Sequence, residues 1–367
     1  MPTNGHLQRV TADHVASSTG PCGLPKTVAV SPYVVAEEGY CVVVRALDQK
    51  EGYNQLEGTD GQFYTIKQGD VLVGALGERK ALKGYSGLIP RSVQPGDTLH
   101  VLNMGGILGK CVSEHPDLGP ALRCEVIGAV VVGDEGGPLR HARIQDHAVE
   151  PVEHLKASAP LVVVSGTAMN TGKTYACAQI VRGLTARGLR VAAAKLTGAA
   201  LRRDVRAMQE QGAVETASFT DAGVVASTGK EMGPIAKGLI HHLNGCQPDA
   251  LVLELGDGII GPYGVGELLA DMEIQRFTAA HVVAATDLVG AWAADHLFRT
   301  TYRTEIAVVV GPATDNDVGR RYMTNALGVP ALNARTEPDD LSALVAGRIE
   351  RFRRRQQLRD ELDAVSS

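Results

Sequence analysis

A glycine-rich segment over residues 166–174, Gly-Thr-Ala-Met-Asn-Thr-Gly-Lys-Thr, contains the residue types needed to bind phosphate groups. Apolar strand formers precede it at 161–164 and an amphipathic run follows at 175–184, so the pattern predicts a buried strand, a loop and a helix. The backbone N–H groups at the amino end of such a helix attract an anion. We therefore predict that Lys173 reaches the β- and γ-phosphates of a nucleotide and that Thr174 binds Mg²⁺.

This loop is one residue longer than the usual phosphate-binding pattern, because five residues rather than four separate Gly166 from Gly172. The residues predicted to contact the nucleotide are Gly166, Thr167, Asn170, Thr171, Gly172, Lys173, Thr174 and Tyr175. The alternative is an ordinary strand-to-helix turn that contains a chance Gly-Lys-Thr triplet. The strand and helix patterns on either side favour nucleotide binding.

Three further charged residues are expected near the loop. Glu254 lies near the end of an apolar predicted strand, where phosphate-binding sheets place an acidic group for Mg²⁺. Lys195 ends another predicted strand and is expected to face phosphate or a substrate carboxylate, while Asp204 is a further candidate ligand of Mg²⁺. The alternatives are a lysine partner for Glu254 and a solvent-exposed Lys195. For Asp204 the alternative is a surface ion pair with Arg202 or Arg203.

Apolar runs alternate with helical patterns over residues 160–335, which predicts an α/β domain with a doubly wound, mostly parallel sheet. The predicted strands are 161–165, 190–195, 250–255, 280–285, 306–310 and 330–333. The predicted helices are 173–187, 233–244, 288–298 and 316–327, followed by a C-terminal helix within 336–367. Because ligands bind beyond the carboxyl ends of parallel strands, we expect this domain to hold the site.

The N-terminal part of the chain has a different pattern. Residues 1–35 are rich in Thr, Ser, Gly and Pro and predict an N-terminal arm. Short strands separated by turns over 36–140 predict a small β-barrel-like domain. Its predicted strands are 40–46, 63–66, 71–75, 98–103 and 123–132. The polar stretch 141–159 then predicts a linker.

The composition is that of an ordinary globular protein, with 44% hydrophobic residues, 21% charged residues and a net charge of −5. The negative charge argues against a nucleic-acid partner. The six cysteines include no C-x-x-C pair, so we expect reduced thiols and no metal beyond Mg²⁺. No apolar stretch is long enough to cross a bilayer and no secretion signal is evident, so we expect a cytoplasmic protein without a membrane partner.

The phosphate loop resembles that of dethiobiotin synthetase, which begins with Gly-Thr, has the same five-residue gap and ends in Gly-Lys-Thr. Lys195 is similar to that family's lysine on the carbamate-forming side. The segment 254–258, Glu-Leu-Gly-Asp-Gly, resembles the family's Glu-Gly-Ala-Gly-Gly. The likeness covers residues 160–335, and the related cobyrinate amidases use the same nucleotide domain.

The resemblance implies a MgATP-dependent ligase-type enzyme. Such an enzyme phosphorylates a carboxylate or carbamate of a small metabolite, and an amine then displaces phosphate to form a C–N bond. Lys173, Lys195 and Glu254 would then be catalytic, and Thr174, Glu254 and Asp204 would bind the metal. The N-terminal β-domain is foreign to that family, and we expect it to close over the site or to build a homodimer.

Two other functions remain open at this stage. A β-domain followed by a phosphate-loop domain with a Thr-Gly element, here 197–198, is similar to a family of unknown function. Some members of that family are assigned as D-amino-acid N-acetyltransferases, which implies that the loop binds the phosphates of coenzyme A. The third possibility is a non-catalytic, ATP-gated binding protein, similar to GTPase regulators and metallochaperones. Those proteins normally read guanine with Asn-Lys-x-Asp, which this chain lacks, so adenine is favoured.

Overall fold

The computed structural model describes residues 7–133 and 138–366, and the chain divides into two compact units. The first unit comprises Met1–Val149, Ala199–Arg203 and Phe219–Thr228. The second unit comprises Glu150–Gly198, Asp204–Ser218 and Gly229–Ser367. The first unit therefore includes two short segments that come from the C-terminal half of the sequence.

The described part of the first unit is built mainly from β-strands. They are β1 (Gln8–Thr11), β2 (His14–Val15), β3 (Thr27–Ser31), β4 (Cys41–Ala46), β5 (Gln55–Glu57), β6 (Phe63–Thr65), β7 (Val71–Leu76), β8 (Ser86–Leu88), β9 (Thr98–Val101), β10 (Ile107–Ser113), β11 (Arg123–Val132) and β12 (Arg140–His141). β5 and β6 form a separate hairpin pair. The pairings β11–β4–β7–β10–β9–β11 form a closed circuit of five strands. Further strands extend the sheet beyond this circuit, so it is larger than the small barrel-like domain predicted from the sequence.

Strand β4 shows how this sheet is buried on both faces. Cys41 and Val43 belong to one apolar cluster, whereas Val42 and Val44 belong to another. Successive side chains of a strand point to opposite faces, so each cluster covers one face of the sheet. The continuous apolar run of this strand, rather than an alternating one, follows from that double burial.

The arm predicted over residues 1–35 differs from the structure from residue 8 onward, and residues 1–6 lie outside the described part. β1 pairs antiparallel with β3, and β3 pairs antiparallel with β11. Between them a 3-10 helix, Ser17–Cys22, buries Ser17, Ser18 and Thr19. All three hydroxyl groups donate hydrogen bonds within the unit. The hydroxyl-rich composition suggested exposed chain, but satisfied hydroxyl groups are buried at little cost.

The second unit contains a parallel sheet of six strands in the order β15-β14-β16-β13-β17-β18. The strands are β13 (Leu161–Gly166), β14 (Val191–Thr197), β15 (Glu215–Ser218), β16 (Ala250–Leu255), β17 (Thr278–Ala284) and β18 (Val308–Val310). Every residue of β13, β14 and β16 is buried, as expected for strands covered by helices on both faces. The predicted α/β architecture with a parallel sheet is confirmed.

Eight α-helices are described. They are α1 (Lys173–Ala186), α2 (Arg203–Glu210), α3 (Gly233–Asn244), α4 (Val265–Ala270), α5 (Met272–Phe277), α6 (Leu288–Thr300), α7 (Asp317–Tyr322) and α8 (Pro338–Ser366). The helix predicted at 316–327 is instead α7 followed by a π-helical stretch, Met323–Leu327. None of the described helices is both long and apolar enough to span a bilayer.

The strand predicted at 330–333 is a single bridge between Val309 and Ala331. Pro330 has no N–H to donate to a ladder, although its carbonyl accepts from the N–H of Val309 at 2.8 Å. The segment therefore touches the edge of the sheet at one position and then turns away.

Candidate functional site

The predicted phosphate loop joins the carboxyl end of β13 to the amino end of α1, at the middle of the parallel sheet. Gly166 leaves no space for a side chain, because a Cβ there would lie 2.6 Å from Oγ1 of Thr171 and 3.0 Å from Cδ of Lys173. Gly172 precedes α1 with φ of 86°, a left-handed conformation that glycine adopts without strain. The loop thus has the compact backbone that a phosphate-binding turn needs.

Lys173, the first residue of α1, is buried within the loop. Its Nζ donates to the carbonyl oxygen of Ala168 at 2.7 Å and lies 3.5 Å from Oγ1 of Thr171. Burial lowers the pKa of Lys173, and the negative charges of Glu254 and Asp257 oppose that shift. A phosphate group in the loop would raise the pKa of Lys173, as those carboxylates do, and would favour the charged ammonium.

Glu254 and Thr174 are in direct contact. Oγ1 of Thr174 donates to Oε1 of Glu254 at 3.1 Å. The other carboxylate oxygen, Oε2, is buried and has no hydrogen-bond partner among the described residues. Burial raises the pKa of Glu254, as does the charge of Asp204, whereas Lys195 and Lys173 lower it.

The orphaned oxygen fits the requirement of a hard divalent cation for oxygen ligands. A hydroxyl and a carboxylate meet at the start of the helix, which is the ligand pair that phosphate-loop proteins use for Mg²⁺. An unpartnered buried carboxylate oxygen costs free energy unless a cation or a donor meets it. The residues present therefore suit Mg²⁺, with Thr174 and Glu254 as ligands.

Lys195 and Asp204 form an ion pair in which the side chains are only 10% and 9% exposed. Lys195 is in register with Glu254 on the neighbouring strand, and its Cε would lie 3.2 Å from a Cβ added at Gly256. The ammonium thus lies by the carboxyl end of β16, near the loop. Lys195 is therefore not an exposed lysine, and Asp204 is buried rather than at the surface.

Asp257 and Thr197 are site residues that the sequence analysis did not assign. Asp257 is 8% exposed, and its charge acts on Lys173. The hydroxyl of Thr197 donates to the carbonyl oxygen of Gly256. The signal for Asp257 was present in the sequence, since it lies between two glycines directly after an apolar strand. The signal for Thr197 was weaker, because its hydrogen-bond partner, Gly256, is 59 residues away in the sequence.

An open pocket adjoins the loop. It is lined by Asn170, Thr171, Gly172, Tyr175, Gly311, Pro312, Asp315, Asn333, Ala334 and Arg335. Four of the predicted nucleotide-contacting residues, 170, 171, 172 and 175, thus lie on its wall. Thr167 does not line this pocket, and its hydroxyl oxygen lies 3.2 Å from the hydroxyl oxygen of Thr286.

Comparisons with known proteins gave matches to solved structures alone. No family model matches the chain, and the search of curated proteins found no match. The chain is similar to the signal recognition particle receptor FtsY from Elizabethkingia anophelis, with 13% identity, 56% of this chain and 70% of that chain covered, and a TM-score of 0.38.

Two further solved structures show similarity of the same order. A duf1611 family protein from Anabaena variabilis is 12% identical, with 55% of this chain and 63% of that chain covered and a TM-score of 0.36. The hydrogenase maturation factor HypB from Archaeoglobus fulgidus is 14% identical, with 52% and 90% covered and a TM-score of 0.33.

The second unit has an α/β fold with a glycine-rich loop between a central parallel strand and a helix. A central parallel strand leads through a glycine loop into a helix that begins with Gly-Lys-Thr, and an acidic residue near the end of the adjacent strand meets the threonine. This arrangement is the one expected of a phosphate-binding loop.

Proposed function

We propose that the second unit binds MgATP and transfers the γ-phosphoryl group to a carboxylate or carbamate of a small metabolite, as a ligase-type enzyme. The observation that carries the proposal is the Thr174–Glu254 contact beside Lys173, with Oε2 of Glu254 buried and without a hydrogen-bond partner in the described chain. A phosphate loop that only bound an anion would gain nothing from a buried carboxylate at this position.

The charges of the site support a metal–nucleotide ligand. Lys173 and Lys195 carry two positive charges, whereas Glu254, Asp204 and Asp257 carry three negative ones. The excess of negative charge suits a divalent cation, which Thr174 and Glu254 would hold, with Asp204 as a further candidate ligand. Bound there, Mg²⁺ would neutralise charge on the phosphate oxygens.

Lys173 and the N–H groups of the loop would stabilise the charge that develops on the phosphate oxygens during transfer. In the proposed first step a substrate carboxylate oxygen attacks the γ-phosphorus, the bond to the β-phosphate oxygen breaks, and ADP leaves. In the second step an amine attacks the acyl carbon, phosphate leaves, and the amine loses a proton. The result is a C–N bond, ADP and phosphate.

Lys195 supports a substrate that is itself anionic. Its ammonium is held next to Gly256 by Asp204, and its charge acts on both Glu254 and Lys173. Hydrolysis of a nucleotide alone requires one lysine in the loop. A second, positioned ammonium would neutralise the carboxylate or carbamate as it approaches the γ-phosphate.

The pocket beside the loop would receive ribose and base. The Asn333 side chain on the pocket wall already has hydrogen-bond partners within the protein. Its amide nitrogen donates to Thr314 and Asp315, and its oxygen accepts from the N–H groups of Arg335 and Thr336. Asp315 thus presents a fixed acceptor to the pocket, which suits the exocyclic amino group of a purine. We propose adenine because the chain lacks Asn-Lys-x-Asp.

The first test is a calorimetric titration of the full chain with MgATP, MgGTP and acetyl-coenzyme A. Lys173→Ala is compared with Lys156→Ala, which removes an exposed lysine from the same unit. We expect MgATP to bind the wild type and the Lys156→Ala variant, and binding to be lost in Lys173→Ala. Tighter binding of MgGTP would overturn the choice of base, and binding of acetyl-coenzyme A alone would replace the ligase by an acyltransferase.

The second test screens phosphate release from ATP against pools of carboxylic acids and amines. We expect one pool to stimulate release and to yield a C–N product detectable by mass spectrometry. Lys195→Ala should retain nucleotide binding and lose product formation. Nucleotide binding without stimulation by any pool, or unchanged product formation in Lys195→Ala, would contradict the ligase mechanism.

A further inference from the structure

The first unit contains a pair of thiols in contact. Sγ of Cys22, at the end of the 3-10 helix, lies 3.7 Å from Sγ of Cys41, the first residue of β4. Cys41 is buried, whereas Cys22 is partly exposed. Both are reduced. At this separation the two sulfur atoms are in van der Waals contact.

Cys22 also lies on the wall of a second open pocket, which is basic. Arg140, Arg143 and His147 line the same pocket. Arg140 forms an ion pair with Asp146, and its side chain remains 50% exposed. Arg143 lies over the ring of Tyr40, with 5.4 Å from its guanidinium carbon to the ring centroid. A partly exposed thiol thus shares a pocket with two arginines that suit carboxylate groups.

The two thiols differ in acidity. The hydrogen bond from Cys41 lowers the pKa of Cys22; burial and the charge of Asp146 oppose this, and Arg140 adds to it. The same hydrogen bond, together with burial, raises the pKa of Cys41 well above its usual value. This asymmetry is the one expected for an attacking thiolate and a resolving thiol.

We propose that Cys22 and Cys41 form a thiol-exchange site that accepts small disulfides carrying carboxylate groups. The Cys22 thiolate attacks one sulfur of the small disulfide, forming a mixed disulfide and releasing one thiolate. Cys41 then gives up its proton and attacks the Cys22 sulfur, forming the Cys22–Cys41 disulfide and releasing the second thiol. Two protein thiols are oxidised and one small disulfide is reduced to two thiols.

The other cysteines lack this arrangement. Cys124 and Cys177 are buried. Cys111 and Cys246 are partly exposed, and the hydrogen bonds of their sulfur atoms go to backbone carbonyl groups. They therefore serve as internal controls for the rate of modification in the same molecule.

The experiment treats the full chain with oxidised glutathione, which is anionic, or with 2-hydroxyethyl disulfide, which is neutral. Peptide mapping by mass spectrometry then follows each thiol over time. We expect the Cys22–Cys41 disulfide to form first with both reagents, and Cys41→Ser to accumulate a mixed disulfide on Cys22. Modification of Cys22 no faster than that of Cys246, or a mixed disulfide in the wild type that never resolves, would overturn the proposal.

Charge variants test the recognition step separately from the thiol chemistry. Arg140→Gln should slow the reaction with oxidised glutathione about threefold more than the reaction with the neutral reagent, the size expected for one partly exposed ion pair. Asp146→Asn should accelerate the reaction with oxidised glutathione. Equal effects on both reagents would show that Arg140 acts on the thiol or on the fold, and would refute recognition of the carboxylates.

Discussion

Glu57→Gln is predicted to loosen the segment that leads into α2. The Glu57 side chain is fully buried and accepts three hydrogen bonds, from Oγ of Ser17 at 2.5 Å and from the N–H groups of Arg202 at 2.7 Å and Arg203 at 2.6 Å. Arg202 and Arg203 belong to the same unit as Glu57, and Arg203 is the first residue of α2.

The size of the effect follows from these contacts. An amide in place of the carboxylate retains one acceptor oxygen, and its NH₂ group faces a hydrogen-bond donor. The donor left without an acceptor costs about 1–3 kcal/mol, and the remaining hydrogen bonds lose about 1 kcal/mol more when they no longer involve a charge. We therefore expect a loss of about 2–4 kcal/mol in the free energy of opening this segment.

The assay is hydrogen–deuterium exchange of peptides that cover residues 199–210, together with urea unfolding. A loss of 2 kcal/mol corresponds to roughly a 30-fold faster exchange if the segment opens locally. Glu51→Gln, which removes an exposed carboxylate from the same unit, is the control and should change stability by less than about 0.5 kcal/mol. Exchange at 202–204 that is equal in Glu57→Gln and in wild type would refute the reasoning.

Three other predictions follow from the second unit. Glu254→Gln should reduce the Mg²⁺ dependence of nucleotide binding by about 10- to 100-fold. This dependence is measured as the ratio of the Kd values with and without EDTA. An unchanged ratio would show that Glu254 is not a ligand of the metal. Gly166→Ala should lower the free energy of unfolding by about 1–3 kcal/mol and weaken nucleotide binding, because the added Cβ would lie 2.6 Å from Oγ1 of Thr171. Urea unfolding measures the first effect and calorimetry the second. Normal nucleotide binding would contradict the close packing of the loop. Burial lowers the pKa of His281 from 6.5 to about 4. The unfolded chain therefore binds a proton that the folded chain does not, so stability present above pH 6.5 falls by about 3 kcal/mol as the pH drops to 4.5. His281→Phe should lose that part of the acid sensitivity in urea unfolding, and an unaltered pH profile would contradict the prediction.

The strand, loop and helix around residues 166–174 could be predicted because their signals are local. Strand formers, glycine spacing and the start of an amphipathic helix lie within 24 residues of sequence, 161–184, and all three agree. The parallel sheet was likewise indicated by apolar runs that alternate with helical patterns. The sequence did not indicate the path of residues 8–31. The hydroxyl groups of Ser17 and Ser18 are buried there because they meet partners that are distant in sequence.

The pairing of Lys195 with Asp204 could not be predicted for a similar reason. The connection between the two residues, 198–203, follows hydrogen bonds to Glu57 and from the Asn103 side chain to the carbonyl oxygen of Ala200. The partners in those contacts are about a hundred residues or more apart in the sequence, and no pattern near Lys195 predicts them. The residue types at the site were therefore foreseeable, whereas the pairing of Lys195 with Asp204 was not.

Because the strand-rich unit takes residues 199–203 and 219–228 from the C-terminal half of the chain, neither unit is one uninterrupted segment of the sequence. Cutting the polypeptide near residue 150 would deprive Glu57 and Asn103 of their backbone partners. A fragment that ends there would lack two segments of its own unit, so it is expected to fold less stably than the same unit in the full chain.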